Sequence, residues 1–338
     1  MSLKQALYLA SYYGGADRLA SLAFSARGAI VMFHRVVERA SHDAFHPNRE
    51  LEVTPSVLRA IIRSLRGNGF EIVPIGEVPE RLATRTRQPF ACLTFDDGYR
   101  DNLRLALPVC AEMQAPFTVY LTSGLMDRSA TIWWEDLAAL VRRERRIEMR
   151  LAEGERSFPA TSVKEKAKAY AELSHHFERA MPQERESCVT QMMERYRVDG
   201  MSTVDRLAMT WDEARELAKH PLVTIGAHTV THPSLASIAA ENASGEIAAS
   251  RSRIEKELGR EVKHFAYPYG GRENATDREF AMCEELGFET AVTTRFGLIQ
   301  NGTDVPLHAL PRVTSNSFDD ERTMRVKLSG LPALFSSH

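Results

Sequence analysis

Six short runs of apolar, β-branched and aromatic residues, at 29–33, 90–95, 117–122, 223–226, 264–267 and 289–293, recur along a chain whose intervening segments are mostly amphipathic. Runs of this length, bounded by polar and turn-forming residues, predict buried strands rather than helices. Between them, helix ends are written in the sequence. Thr54 is an N-cap with Pro55 at the first helical position, and Gly67 or Gly69 follows the last turn. Thr210 and Glu213 form a capping box, a pattern from about 234 to 258 stops at Gly259, and another from 276 to 286 stops at Gly287. Strands that alternate with helices predict parallel pairing in an α/β layer or barrel.

The stretch from about 127 to 207 breaks this rhythm. It is polar and helix-forming, with charge-rich segments such as VRRERRIEMR and SVKEKAKAYAEL, and its one strand-like feature is a hairpin near 148–158. It predicts a mainly helical insertion between two core strands, either a wall or lid over a substrate groove or a solvated excursion. Residues 1–27 predict a helical N-terminal segment packed on the body, with peripheral attachment to a membrane surface as the second reading. Residues 28–318 then form the main domain and 319–338 a C-terminal tail.

Composition narrows the classes. With 338 residues, 43% hydrophobic and 26% charged, the chain is long enough for one large core plus an insertion and has none of the bias of disordered or disulfide-built proteins. A net charge of −2 with scattered basic residues gives no footprint for nucleic acid. Cys92, Cys110, Cys188 and Cys283 lack metal-cluster or disulfide spacing and read as buried thiols of a reducing compartment. No run is apolar enough to span a bilayer, and Tyr12, Asp17, Arg18 and Arg27 interrupt any signal-like segment, so the expected location is the cytoplasm.

Two clusters carry chemistry. Thr94-Phe95-Asp96-Asp97-Gly98 places adjacent carboxylates at the exit of the strand FACL, the end where α/β sites assemble; taken alone it also fits a turn capping the next helix. His228-Thr229-Val230-Thr231-His232-Pro233 follows the strand VTIGA, and histidines four apart on one helical turn can point at one ion. Two imidazoles and a carboxylate make a three-ligand site with a position left for water, whereas structural zinc sites close with four protein ligands. The same donor set also occurs in iron(II) oxygenases, although those sit on a different, all-β fold.

Together with FAYPYG at 265–270, these motifs resemble the polysaccharide deacetylases with NodB homology, carbohydrate esterase family four, over roughly residues 28 to 313. The resemblance implies a distorted (β/α)7-type barrel of the glycoside hydrolase and deacetylase kind. It also implies metal-dependent hydrolysis of N-acetyl groups on an N-acetylated amino-sugar oligo- or polysaccharide, such as one built of N-acetylglucosamine. Asp97, His228 and His232 would hold Zn2+, or another divalent ion such as Co2+, Mn2+ or Ni2+. Asp96 would be the general base, and the backbone N–H of Tyr269 would meet the oxyanion.

Two positions depart from the family pattern. For the acid that protonates the leaving amine, His308 in PLHALPR matches the late Leu-x-His motif loosely, while His34 in MFHRV resembles the N-terminal histidine of the poly-N-acetylglucosamine deacetylase-like branch; His34, at the end of a buried strand, is the preferred candidate. Ala266 stands where many members carry an arginine that orients the base, and Arg312 in LPRV is the candidate replacement. These departures keep open a carbohydrate-binding protein of the same fold without turnover. Trp133, Trp134 and Trp211 read as core anchors, with stacking on sugar rings as the alternative.

Overall fold

The computed structural model describes residues 3–17, 20, 26–84, 88–300 and 305–334. Parts of the expected N-terminal segment (residues 1–2, 18–19 and 21–25) and the last four residues of the expected tail lie outside the described residues. Seven parallel strands form the core: β1 (Ala26–Phe33), β2 (Phe90–Phe95), β3 (Phe117–Leu121), β4 (Val223–Ala227), β5 (His264–Ala266), β6 (Thr290–Phe296) and β7 (Leu310–Thr314). Each pairs with the next in sequence, and β7 pairs with β1, which closes the barrel. The register from Gly28 opposite Phe90 to Phe33 opposite Phe95 brings the ends of β1 and β2 level.

Six of these strands coincide with the apolar runs. The seventh, β7, has no such run, because Pro311 and Arg312 interrupt it; Arg312 is nonetheless completely buried. The alternation of period two explains how a polar residue fits there. Ile30, Phe90, Cys92, Tyr120, Ala266, Val292 and Leu310 form one buried cluster, separate from the larger core that takes their neighbours Ala29, Val31, Ala91, Leu93, Phe265, Ala291 and Val313. Continuing the inner row along β2 leads through Thr94 to Asp96, along β1 to His34, and along β7 to Arg312. The packing that fills the barrel thus also aims these side chains at its C-terminal mouth.

Helix α1 (Leu3–Tyr13) packs beside α10 (Glu321–Leu328), helped by an ion pair of 2.7 Å from Arg325 to Asp17. Helix α2 (Pro55–Gly67) starts as expected, with the Thr54 hydroxyl accepting from the Val57 N–H. Between β3 and β4 the chain makes α3 (Trp133–Arg143), a hairpin of Arg146–Leu151 with Gly154–Pro159, α4 (Val163–Arg179), α5 (Pro182–Tyr196), α6 (Gly200–Leu207) and α7 (Trp211–Ala218). The expected hairpin is present, and the capping boxes at Ser162 and Thr210 start α4 and α7. Helix α8 (Ala240–Leu258) ends on Gly259 in the left-handed region (φ 65°), and α9 (Asp277–Glu285) is followed by Gly287 (φ 77°). No helix among the described residues is long and apolar enough to cross a membrane.

Close approach of β3, β4 and β5 requires Gly226. A Cβ there would lie 2.3 Å from the Tyr120 ring and 2.8 Å from the His264 carbonyl oxygen, a backbone atom that cannot rotate away. Gly226→Ala is expected to lower unfolding stability by about 1–3 kcal/mol through overpacking, read as a lower urea midpoint at unchanged slope. An unaltered midpoint would mean that the three strands can separate without cost.

Candidate active site

The barrel mouth gathers residues from the ends of five strands. Asp96 and Asp97 follow β2, His34 follows β1, His228 and His232 follow β4, Tyr269 follows β5, and Arg312 reaches in from β7. They border or support a cavity of about 290 Å³, also lined by Met32, Trp133, Trp134 and Thr294. Backbone strain concentrates here. Asp97 (φ 74°), Thr229 (63°), His232 (55°) and Tyr269 (59°) all occupy the left-handed region, which L side chains adopt at a cost of order 1–3 kcal/mol each when the surroundings hold them there.

The two histidines do not share a helical turn, contrary to the sequence reading. Residues 228–232 form an irregular loop, because the left-handed backbone at Thr229 and His232 breaks any helix. What holds that loop is Glu246 of α8. Its carboxylate accepts from the Val230 N–H (2.8 Å), the Thr231 N–H (2.9 Å) and the Thr231 hydroxyl (2.7 Å). The Thr229 hydroxyl accepts from the His232 N–H at 3.1 Å. Sequence reasoning missed Glu246, which lies 14 residues beyond the motif on a helix with no chemical signature of its own.

Asp97, His228 and His232 bring one ligand atom each to within 4.8 Å of one another. Asp97 Oδ1 stands 3.4 Å from Nε2 of both histidines. Ligands about 2.1 Å from an ion in tetrahedral geometry are separated by about 3.4 Å, so the spacing suits a shared cation better than direct hydrogen bonds. Asp97 Oδ1 and His232 Nδ1 are buried without a hydrogen-bond partner among the described residues. His228 Nδ1 sits 2.6 Å from the Ala266 carbonyl, an arrangement that puts the proton on Nδ1 and leaves Nε2 free to ligate. The residues therefore fit a divalent ion.

Burial would raise the Asp97 pKa, but the facing imidazoles hold it well below the usual carboxylate range. The histidines diverge: burial pushes His232 down, whereas in His228 the neighbouring carboxylates outweigh burial and push it up. Both see the same oxygen at the same distance, but only His228 also feels Asp96. A cation between them would favour the neutral imidazole in each.

Asp96 is not part of the ligand trio. Arg312 grips it in a two-pronged fork, Nη1 to Oδ1 at 2.8 Å and Nη2 to Oδ2 at 2.7 Å, while Nε donates to the Thr293 carbonyl at 2.7 Å. Burial acts to raise the Asp96 pKa; the Arg312 charge and hydrogen bonds outweigh it and hold the carboxyl below its ordinary value. His34 Nε2 lies 3.9 Å from Asp96 Oδ2, with the imidazole pKa lowered mainly by burial. Asn102 anchors the turn by donating to the His34 carbonyl at 2.9 Å.

The alternative acid, His308, is a correction to the sequence reading. It precedes β7, at the opposite end of the barrel, and its Nε2 pairs with the Phe288 carbonyl at 2.7 Å. Its ring completes backbone hydrogen bonding before β6 and cannot reach the mouth. Trp133 and Trp134 are buried as expected of core anchors, yet both also line the cavity, and the Trp134 ring lies 5.0 Å from that of His232. Trp211 stands apart, bonded to Asp127 and covered by Arg253.

These features define the class: a closed (β/α)7 barrel with a candidate three-ligand metal centre at its C-terminal mouth. The chain belongs to the polysaccharide deacetylase family, whose sequence model matches residues 83–291, and is thus a hydrolase of carbon–nitrogen bonds other than peptide bonds. Among solved structures it is similar to deacetylase PplD of Streptococcus pyogenes in complex with acetate, at 16% identity over 88% of this chain and 95% of that one, with a TM-score of 0.57. It is similar also to a de-N-acetylase from Aggregatibacter actinomycetemcomitans (14% identity, 89% and 99% covered, TM-score 0.56). IcaB from Ammonifex degensii is a third such structure (16% identity, 90% and 97% covered, TM-score 0.55). No curated protein matches the sequence.

Because Glu246 fixes the loop that carries two of the trio, Glu246→Ala is expected to weaken Zn2+ binding by about 10–100-fold, measured by competition with a chelating dye. Glu246→Gln, which keeps an acceptor, should lose less. Equal affinity in all three proteins would show that the loop holds its shape without the carboxylate.

Proposed function

We propose that the protein removes N-acetyl groups from an N-acetylated amino-sugar oligo- or polysaccharide in a reaction that depends on a divalent metal, releasing acetate and a free amine. The observation that carries this reading is the pairing of two adjacent buried carboxylates with different surroundings: Asp97 faces two imidazoles, Asp96 faces a guanidinium. That division gives each a separate task. Asp97, His228 and His232 would hold the ion, which when bound polarises the acetyl carbonyl and lowers the pKa of water.

Asp96 takes the proton of the attacking water as general base. Its fork with Arg312 keeps it ionised and fixes both oxygens in plane, so no reorganisation is needed as the proton arrives. The Tyr269 N–H, at a strained turn closed by a 2.6 Å bond from the Gly270 N–H to the Pro268 carbonyl, faces the developing oxyanion. His34, 3.9 Å from Asp96, delivers a proton to the departing amine. Its buried, neutral-favouring setting lets it accept that proton from Asp96 once the water has been deprotonated, and then pass it on. Arg312 acts through Asp96 and is a positioning residue. The iron-oxygenase alternative has no support from a parallel barrel of this family.

The test is acetate release from N-acetylglucosamine oligomers by protein loaded separately with Zn2+, Co2+, Mn2+ or Ni2+. Activity in the wild type, lost by at least about 10²-fold in Asp96→Asn and in His232→Ala, is the expected result. Inactivity with every ion, at full metal occupancy, would favour a binding protein instead. The pH profile tests the fork independently. Since Arg312 lowers the Asp96 pKa, the acid limb of kcat/KM lies low in the wild type and should move to higher pH in Arg312→Met, while Arg312→Lys moves it less.

A further inference from the structure

Helix α4, on the chain between β3 and β4, meets the site through a repeating stripe. Ala169, Leu173 and Phe177 are buried and anchor the helix to the core. One position further along, Tyr170, Ser174 and Glu178 are half-buried and line the same cavity as Asp96, Asp97, His228 and His232. The four-residue spacing puts all three on one face, over two turns of helix. This wall is braced: the Tyr170 hydroxyl donates to Asn48 Oδ1 at 2.6 Å, and Asn48 Nδ2 donates to the Trp134 carbonyl at 3.2 Å. At its deep end, Asn274 Nδ2 donates to Glu178 Oε1 at 3.0 Å and to Ser234 Oγ at 3.1 Å. Glu178 is thereby tied both to the loop after β5 and to the segment just beyond His232.

We propose that α4 is the sugar-reading wall of the site and that Glu178 selects amino sugars that are neutral or carry a free amine against those that carry a carboxylate. The inference rests on the deacetylase reading above and goes beyond it to the class of sugar. A carboxylate in a cavity wall can only accept hydrogen bonds, and sugar hydroxyls and ammonium groups can only satisfy it by donating. A carboxylated sugar, such as a uronic acid or a muramic acid with its lactyl ether, brings a fourth carboxylate into a space already lined by Asp96, Asp97 and Glu178. Arg312 is already committed to Asp96 in its fork, and the buried Arg185 donates to the His232 carbonyl at 3.3 Å. Trp133, Trp134 and Tyr269 line the rest of the cavity and offer apolar faces to a pyranose ring. At about 290 Å³ the space is at the small end for ligand sites, so a bulky charged substituent has little room to turn away from Glu178. Burial raises the Glu178 pKa, opposed by the Asn274 hydrogen bond and the charges of His175 and Arg179.

The experiment compares kcat/KM for acetate release from an N-acetylglucosamine oligomer and from a glycan of matched length that contains N-acetylmuramic acid. Wild type, Glu178→Gln and Glu178→Asp are assayed as zinc-loaded full chains, with thermal unfolding recorded for each. The wild type should prefer the neutral oligomer. Glu178→Gln should shrink that preference by about tenfold, the value of one charge-assisted hydrogen bond exchanged for a neutral one, mainly through KM. Glu178→Asp, which keeps the charge, should retain most of it. If the wild type is active and Glu178→Gln discriminates as well as the wild type does, the wall has no such role. A wild type inactive on both glycans overturns the deacetylase reading itself, and this inference falls with it.

Discussion

The fork between Arg312 and Asp96 is the interaction on which the rest of the site depends. A guanidinium with no solvent exposure at all is among the costliest groups a barrel can enclose, and it is tolerable only because each of its nitrogens is paired: two bonds to Asp96, one to the Thr293 carbonyl and a longer one to the Thr94 hydroxyl. Thr94 and Asp96 belong to β2 and its exit, and Thr293 belongs to β6. The fork therefore ties β7 to β2 and β6 across the interior, and removing either member would leave a buried charge without its counterpart, a loss of about 3–5 kcal/mol. Stability and the ionisation of Asp96 are served by the same two hydrogen bonds.

That arrangement also separates two chemically identical neighbours. Asp96 and Asp97 are consecutive, and in an extended strand they would point to opposite faces. The left-handed backbone at Asp97 turns the second carboxylate back toward the mouth, where it faces His228 and His232, while Asp96 continues the inner row of β2. Strain in the backbone thus lets both groups reach one cavity with different partners. The same device recurs at Thr229, His232 and Tyr269, so the loops that carry the site are each held in conformations their sequences alone do not favour. The loop with two histidines is stabilised from outside by Glu246, and the turn at Tyr269 by Thr294, whose N–H donates to the Gly270 carbonyl at 3.1 Å.

What could be read in the sequence follows from this division between local and long-range causes. Six strands, the capped helices and the two motifs that meet at the candidate metal site are legible because each is signalled by residues close together in the chain. The helical-turn geometry expected for residues 228–232 was wrong because positive φ at Thr229 and His232 depends on contacts to α8, far along the sequence. Strand β7 carries no apolar run, since Arg312 occupies an inward position; the signal for that arginine as partner of Asp96 is the missing charge at Ala266, not periodicity. His308 shows the converse limit. A motif two residues from β7 looked adjacent to the site, yet the strand's direction places it at the other end of the barrel.

The segment between β3 and β4 was the least legible part, and the reason is physical. Its helices carry ordinary amphipathic patterns, so nothing in α4 alone distinguishes Tyr170, Ser174 and Glu178 from solvent-facing residues. Their role is set by the depth at which the apolar stripe Ala169, Leu173 and Phe177 seats the helix, which brings the adjacent stripe to the rim of the cavity. The candidate site groups sit at the ends of the barrel strands, which the parallel register brings level. Substrate choice, by contrast, can be set on a helix whose seating depends on core packing, so that a change of one turn in that helix would present a different set of side chains to the same reaction centre.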